Sequence, residues 1–369
     1  MAEELVSIKS INVKNYKSII DLTIQLGTFN VLIGANGCGK SNILEAIALG
    51  AAASADKLDF EYFGNRGIRI VKSQMMLPAF EGVDANGVNL SLSDSKNNTH
   101  SFYIYFDQNA KPAKWKAVFN TESIDLEQIK KMMKENGISE KYTLKVVNND
   151  DYYERFMILS AVESIIRRSD DSNKTYPLGL HGEGLFAYLK ELSQRTNSES
   201  FFNELKENLT VFDWFDDIKI PKNQLSNEFN ISLKDNYLDE TLNVFDQNST
   251  NEGFLYLLFY LTLIISDETP KFFAIENIDS SFNPKLCREV IRRLIILAKK
   301  HNKQIIATTH NPSVLDGLDL EDDDVRLYTI RRTIDGDTKA SRVTLKSKLT
   351  IPLSEAWQRG YIGGLPDNF

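Results

Sequence analysis

The chain of 369 residues contains only two cysteines, Cys38 and Cys287, and four histidines. So few excludes a disulfide framework and a cysteine-built zinc site. No apolar run approaches the ~20 residues that a membrane-crossing helix requires. The longest, Phe254 to Ile265, is interrupted by Thr262 and followed by Ser266-Asp267-Glu268, and reads as a buried helix. Internal repeats, low-complexity tracts and sustained heptads are also missing. Nor is there a basic excess: 43 Lys and Arg against 51 Asp and Glu give a net charge of −8. Nucleic-acid affinity runs on phosphate neutralisation, so a broad nucleic-acid-binding face is not expected. Local basic patches remain at Lys111–Lys116, Lys130–Lys134 and Arg331-Arg332, and acid gathers at Glu321-Asp322-Asp323-Asp324, an expected exposed loop. A hydrophobic content of 42% with 25% charged residues suits a globular chain with a sizeable core. A reducing, cytoplasmic setting without membrane attachment is the expectation.

What is present centres on residues 34–41, GANGCGKS, which fit G-x-x-x-x-G-K-[ST] at every fixed position. Asn30-Val31-Leu32-Ile33 before them reads as a short buried strand. Asn42 to Leu49 after them reads as a helix with Ile43, Leu44, Ile47 and Ala48 on one face. Strand, glycine loop and helix is the context in which this motif binds phosphate. Gly34, Gly37 and Gly39 let successive N–H groups converge, and the helix start adds partial positive charge. Lys40 reaches the β- and γ-phosphates, and Ser41 can ligate Mg²⁺. Asn36, Cys38 and Asn42 complete the expected cofactor-binding set. Cys38 has two readings: a thiolate favoured by the helix start and Lys40, open to a maleimide, or an inert small residue that fits the loop.

Alternation of apolar and polar residues predicts strands near 5–13 and 22–26. Further strands are predicted at Ile68–Val71, Val88–Leu92 and Phe102–Phe106, punctuated by turn signals. Helical spacing is read over Thr121–Asn136, Asp150–Arg168 and Gly184–Leu209. Residues 240–333 return to a dense α/β pattern. Lys271-Phe-Phe-Ala-Ile275 is an apolar strand ending in Glu276-Asn277-Ile278-Asp279, and Gln304-Ile-Ile-Ala-Thr-Thr-His310 repeats the arrangement. In a parallel sheet the carboxyl ends of the strands line one crevice. Glu276 is the expected metal ligand with Ser41, Glu276 or Asp279 would orient an attacking water, and His310 would sense the γ-phosphate. ATP with Mg²⁺ is the expected cofactor pair. Leu353 to Pro366 reads as a short helix stopped by glycine and packed by Trp357, Tyr361 and Ile362, as a docked tail or a partner-binding hook.

These blocks carry a resemblance. The segments Ile11–Ile19, Leu32–Asn42, Leu180-His-Gly-Glu-Gly-Leu185, Ile275–Pro284 and Ala307–Pro312 resemble those of an ATP-binding-cassette-type head ATPase of the RecF/SMC-like branch. Within that branch the chain is similar to stand-alone "AAA family ATPases" related to the overcoming-lysogenisation-defect (OLD) group. The fold class implied is α/β, a P-loop NTPase of the head type with a mixed, largely parallel sheet, a β-rich N-terminal lobe and a helical insertion. The corresponding division is 1–120 for the N-terminal ATPase lobe, 121–240 for the insertion, 241–345 for the C-terminal ATPase lobe and 346–369 for a tail. The resemblance also implies a signature loop that contacts the nucleotide of a partner subunit. Ser249-Thr-Asn-Glu-Gly-Phe254 matches it best, giving Asn251 and Gly253 as nucleotide contacts, while Ser249 and Glu252 fit a capping box. Asn251 stands where serine is usual and Asn277 where a catalytic glutamate is frequent, which implies slow hydrolysis. Gln74 is the candidate for the glutamine that links metal to insertion.

The function this implies is ATP-driven homodimerisation that signals to a separate effector, a nuclease in the antiphage-defence members of the family. A RecF-like DNA-repair ATPase is the first alternative, and a self-contained nuclease using Asp150-Asp151, Asp170-Asp171 or residues 319–324 is the second. Replacing Lys40 with Ala is expected to abolish ATP binding or turnover while the thermal unfolding midpoint stays put; an unchanged ATPase rate in the variant would disprove the phosphate-loop assignment.

Overall fold

The computed structural model describes residues 6–120, 151–168, 177–220, 231–239, 244–344 and 351–365. Its strands are β1 (Ile8–Tyr16), β2 (Ile19–Gln25), β3 (Phe29–Ile33), β4 (Val88–Asp94), β5 (Thr99–Asp107), β6 (Lys114–Asn120), β7 (Ile158–Leu159), β8 (Phe215–Lys219), β9 (Ser232–Asp235), β10 (Val244–Phe245), β11 (Phe272–Ile275), β12 (Gln304–Thr309), β13 (Val325–Arg332) and β14 (Thr338–Val343). The helices are α1 (Lys40–Ser54), α2 (Phe60–Gly64), α3 (Asp151–Glu154), α4 (Glu163–Ile166), α5 (Leu185–Ser193), α6 (Glu199–Leu209), α7 (Glu252–Ile265), α8 (Pro284–Lys300) and α9 (Leu353–Gln358).

A six-stranded sheet in the order β14-β13-β3-β12-β11-β7 forms the centre. Its β13, β3, β12, β11 and β7 run parallel, and β14 returns antiparallel on β13. Successive side chains on a strand point to opposite faces, and here the two faces feed two separate cores. Phe29, Val31, Ile33, Phe273, Ile275, Ile305 and Ala307 pack with α7 and α8. Leu32, Phe272, Ala274 and Ile306 pack with α1 and the five-stranded antiparallel sheet β2-β1-β4-β5-β6. Both faces are therefore covered, so β3, β11 and β12 are buried at every position and mostly apolar. α7 is buried along its length from Gly253 to Ile265, so its sequence shows no polar face.

Two buried amides fasten these layers. The Gln304 side chain accepts from the Ile8 N–H at 3.0 Å and donates to the Ile8 and Gly27 carbonyls at 2.7 and 2.9 Å. It thereby stitches the start of β12 to the start of β1 across the two sheets. Asn30, on the central strand, accepts from the Gly27 N–H and donates to the Gly27 and Ile305 carbonyls.

Several expectations need correction. The strand read near 5–13 is β1, which begins at Ile8, carries a bulge and runs on to Tyr16. Ile68–Val71 is not a strand: Ile68 alone is buried, and the segment runs as coil beside α2. The helix read over Asp150–Arg168 breaks into α3, the two-residue strand β7 and α4, because β7 pairs with β11. Gly184–Leu209 is two helices, α5 and α6, separated at residues 194–198. The 121–240 portion consequently contributes sheet as well as helix, through β7 and through the small β10-β9-β8 sheet, whose last strand lies just beyond it. Thr121–Asn136, Lys130–Lys134, Asp150 and Asp170-Asp171 lie outside the described residues. At the C-terminus, α9 is docked by the Asp316 carboxylate, which accepts from the Ser354 N–H and Oγ, and by buried Trp357 and half-buried Ile362, whereas Tyr361 is exposed.

Replacing Gln304 with Leu keeps the volume but strands the N–H and C=O of Ile8. The expected loss is about 2–3 kcal/mol of unfolding free energy, read by urea titration; a loss under about 0.5 kcal/mol would mean that water replaces the amide.

Candidate nucleotide site

The register of the central sheet sets the site. Thr309 lies beside Ile33, Ala307 beside Ile275, and Ile275 beside Leu159, so the carboxyl ends of β3, β12, β11 and β7 open on one side. From the end of β3 the loop 34–39 turns directly into α1. Gly39 sits at φ 108° as the residue before the helix. A Cβ there would lie 2.3 Å from Thr338 Oγ1, and one at Gly34 would lie 2.2 Å from the Ile330 carbonyl. Both glycines are thus required by close approach as well as by backbone angle.

The back of the loop is braced by residues the sequence reading did not assign. Thr338 Oγ1 donates to the Cys38 carbonyl at 3.1 Å and shares a hydrogen bond with Ser18 Oγ at 2.7 Å, and Asn42 Nδ2 donates to Ser18 Oγ at 2.7 Å. The β1–β2 turn and β14 therefore meet behind the phosphate loop. Ser18 belongs to the quoted segment Ile11–Ile19, so a signal was present without a role; Thr338 carried none. A second unassigned group is Glu45, buried on α1. It accepts from the Tyr16 hydroxyl at 3.1 Å and pairs with Lys17 and Arg69. Arg69 also reaches Asn42 Oδ1 at 3.4 Å.

Lys40 Nζ donates to the Gly34 and Ala35 carbonyls at 2.8 and 3.1 Å. Burial pushes its pKa below the ordinary lysine range, while Cys38 and the Glu276 carboxylate oppose that shift. Asn36 and Gly37 are exposed at the loop tip. The two readings of Cys38 now separate: the residue is 4% exposed and packs in the apolar core, its Sγ 3.8 Å from Lys40 Nζ. It packs as a small buried residue, and a reagent-accessible thiol is not what the structure displays.

Ser41 Oγ donates to Glu276 Oε1 at 2.5 Å, joining the first turn of α1 to the tip of β11. The tip is latched to β12: the Ile278 N–H donates to the Thr308 carbonyl, the Asn277 N–H to Thr308 Oγ1, and Thr309 Oγ1 to Asp279 Oδ1 at 2.6 Å. Asn277 takes φ 52°, which turns its own side chain out to solvent. His310 follows β12 on the exposed side of the same crevice. Burial lowers its pKa and Lys40 adds to the effect, with Asp279 opposing, so the imidazole is neutral at pH 7 and able to accept or donate. The structure thus brings together Lys40, Ser41, Glu276, Asp279 and His310.

A hydroxyl in contact with a carboxylate at a helix start is an oxygen-only donor pair. That suits Mg²⁺, which binds through one or two protein oxygens and keeps the rest of its shell for water and phosphate. Among the described residues no group of three or more His, Cys, Asp or Glu forms a protein-built metal cage.

Asn251 and Gly253 lie elsewhere, at the start of α7. Asn251 is the helix cap, accepting from the Phe254 N–H at 2.8 Å, so the capping residue is Asn251 and not Ser249. Ser249 instead donates to Asp246. Glu252 hydrogen-bonds Ser281 and Tyr256, which hold its carboxyl below the usual range. A Cβ on Gly253 would lie 2.8 Å from the Ser281 carbonyl. The start of α7 is therefore packed on the chain that follows Asp279. Gln74 sits exposed on the Ser73–Met76 turn. The strand end beside Glu276 is that of β7, where the Glu276 N–H donates to the Leu159 carbonyl and Ser160 follows.

The family described as "AAA domain, putative AbiEii toxin, Type IV TA system" matches residues 29–316, and the chain belongs to that family. Among solved structures it is similar to an Smc head bound to the C-terminal winged-helix domain of ScpA, with 16% identity and a TM-score of 0.59, covering 92% of this chain and 98% of that one. A Pyrococcus furiosus Smc head with an extended coiled coil, bound to the C-terminal domain of ScpA, gives 13% identity and 0.55, covering 93% and 97%. A Pyrococcus yayanosii Smc head with a coiled coil and joint gives 10% and 0.54, covering 97% and 100%. The fold is that of the SMC head, a P-loop ATPase architecture. No curated protein matches the sequence. Among the described residues no helix is long and apolar enough to cross a membrane.

Ser41→Ala and Glu276→Gln are each expected to weaken ATP binding about tenfold or more in the presence of Mg²⁺ and to leave binding in EDTA nearly unchanged. Calorimetric titration reads both; equal losses with and without the metal would remove these two oxygens from the metal's shell.

Proposed function

We propose that the protein is an ATP-binding and ATP-hydrolysing head ATPase whose two copies close on two nucleotides and pass that closure to a separate effector. The Ser41–Glu276 contact carries this reading, since it sets a phosphate-loop hydroxyl against a strand-tip carboxylate. When bound, Mg²⁺ would supply charge neutralisation on the β- and γ-phosphates. The N–H groups of residues 36–42 would hold the phosphates, and Lys40 would exchange its carbonyl contacts for phosphate oxygens. Glu276 or Asp279 would orient the attacking water, and neutral His310 would report on the γ-phosphate. Asp279 accepts a hydrogen bond from Thr309, which fixes its orientation, and Asn277 stands where a catalytic glutamate is frequent. Slow turnover and a switch driven mainly by binding follow.

In this reading 1–120 and 241–345 form the ATPase lobes, completed by β7 from the middle portion, and 346–369 form a tail. Asn251 and Gly253 would face the nucleotide of the second copy. The Smc heads quoted above are bound to a partner domain in two cases, which supports transmission to another protein. Resemblance to the OLD group, together with a family description that names a toxin, supports a defence setting in which the effector is a nuclease. A cytoplasmic location accords with the buried, unpaired thiols. The net charge of −8 favours a protein effector over bound nucleic acid.

Gly253 is a poor probe of closure because any side chain there meets Ser281. Asn251→Asp is a better one: it preserves the helix cap and adds a negative charge on an exposed residue. Light scattering with ATP on the Asp279→Asn background is expected to find a closed dimer, which the added Asn251→Asp weakens at least about tenfold through like-charge juxtaposition. ATP binding by the single chain is expected to persist. An equally stable ATP-dependent dimer in the double variant would contradict the assignment of the 249–254 loop.

A further inference from the structure

Arg167 is the C-terminal flanking residue of α4, seven residues past Ser160 at the tip of β7. Its guanidinium is mostly enclosed, with a side-chain exposure of 20%. Nε and Nη2 donate to Glu163 Oε1 at 2.9 and 2.5 Å, Nη2 donates to the Thr250 carbonyl at 2.7 Å, and Nη1 donates to the Gln247 carbonyl. Four of its five N–H groups are used. The two carbonyls belong to the turn that leads into Asn251, the cap of α7.

The turn has other anchors as well. Asp246 Oδ1 closes it locally by accepting from the Asn248 and Ser249 N–H groups, and the Gln247 side chain accepts from the Ile231 N–H. α4 is also fixed to α7 from the other side. The Glu163 N–H donates to the Tyr256 hydroxyl at 3.3 Å, and Tyr256 hydrogen-bonds Glu252, which in turn hydrogen-bonds Ser281. A continuous set of polar contacts therefore joins three points: α4, the turn 247–250, and the chain after Asp279.

We propose that Arg167 is a positioning residue that holds the 247–250 turn, and with it Asn251, in the geometry needed to meet the nucleotide of a second copy. It touches no nucleotide itself. It acts through the backbone carbonyls of Gln247 and Thr250, and Glu163 sets its orientation. A lysine at 167 keeps the charge but offers a single ammonium, which cannot span two carbonyls and a carboxylate with the planar fork of a guanidinium. The proposal rests on the closed-dimer reading above and adds the residue that aligns the trans-acting loop.

The test uses the full chain and its Arg167→Lys, Arg167→Met and Glu163→Gln variants. For Arg167→Lys the expected result is single-chain ATP affinity within about twofold of wild type and kcat reduced about tenfold or more. Amide exchange at Ser249–Asn251 should quicken. Glu163→Gln retains an acceptor and should show a smaller loss of kcat with the same exchange signature. If the methionine variant fails to fold, the lysine variant decides. A merely structural role would lower the folded fraction without dividing kcat from ATP affinity. Wild-type kcat and unaltered 249–251 exchange in Arg167→Lys would overturn the proposal. Wild-type protein that turns over ATP as a monomer would overturn the closed-dimer reading. A loss of kcat in Arg167→Lys accompanied by equal loss of ATP affinity would overturn Arg167 as a positioning residue for the trans loop.

Discussion

The in-register alignment of β3, β12 and β11 is the constraint on which everything else depends. Thr309 against Ile33 and Ala307 against Ile275 place a phosphate loop, a polar tip and an acidic tip at one height on one side of the sheet. A slip by one residue in any of these strands would turn its side chains to the opposite core. The Ser41–Glu276 contact would be lost with it. The two-sided burial of these strands also makes the register hard to shift, because each face has its own matched set of partners.

Around that alignment the fold uses side-chain amides and hydroxyls rather than surface ion pairs to hold layers together. Gln304 and Asn30 satisfy backbone groups where strands of different sheets begin, and Thr338 and Ser18 do so behind the loop. Such buried polar contacts contribute little net energy when complete but cost heavily when one partner is missing. They therefore specify which segment lies against which more than they stabilise the whole. Arg167 has the same character at the start of α7, where its guanidinium satisfies two backbone carbonyls of the turn.

Much of the site was legible because its chemistry is local in sequence. The loop 34–41 needs fixed glycines, a lysine and a hydroxyl in consecutive positions, and Glu276, Asp279 and His310 follow apolar runs that admit no other element. What escaped was non-local. β7 is two residues long inside a stretch with helical spacing, and only pairing with β11 makes it a strand. Ile68–Val71 looks like a strand but gains no partner. Ser249 and Asn251 both suit a helix cap, and the choice depends on where α7 packs against Ser281. Cys38 was ambiguous until the depth of the loop was known. Ser18, Thr338 and Arg167 act on the site from other segments of the chain, and Glu45, though on α1, takes its partners Tyr16, Lys17 and Arg69 from such segments, so no spacing rule reports them.

The side-chain hydrogen bond between Ser18 and Thr338 joins residues 320 positions apart, and the loop that this pair supports lies between them in sequence. Contacts of such long sequence separation form late, after the loop entropy of the intervening chain has been overcome. During synthesis the motif 34–41 emerges early, yet its rear support arrives only when β14 has left the ribosome. The support behind the phosphate loop therefore comes from β14 rather than from the motif itself, and a nascent or truncated product that stops short of β14 carries the motif without that support.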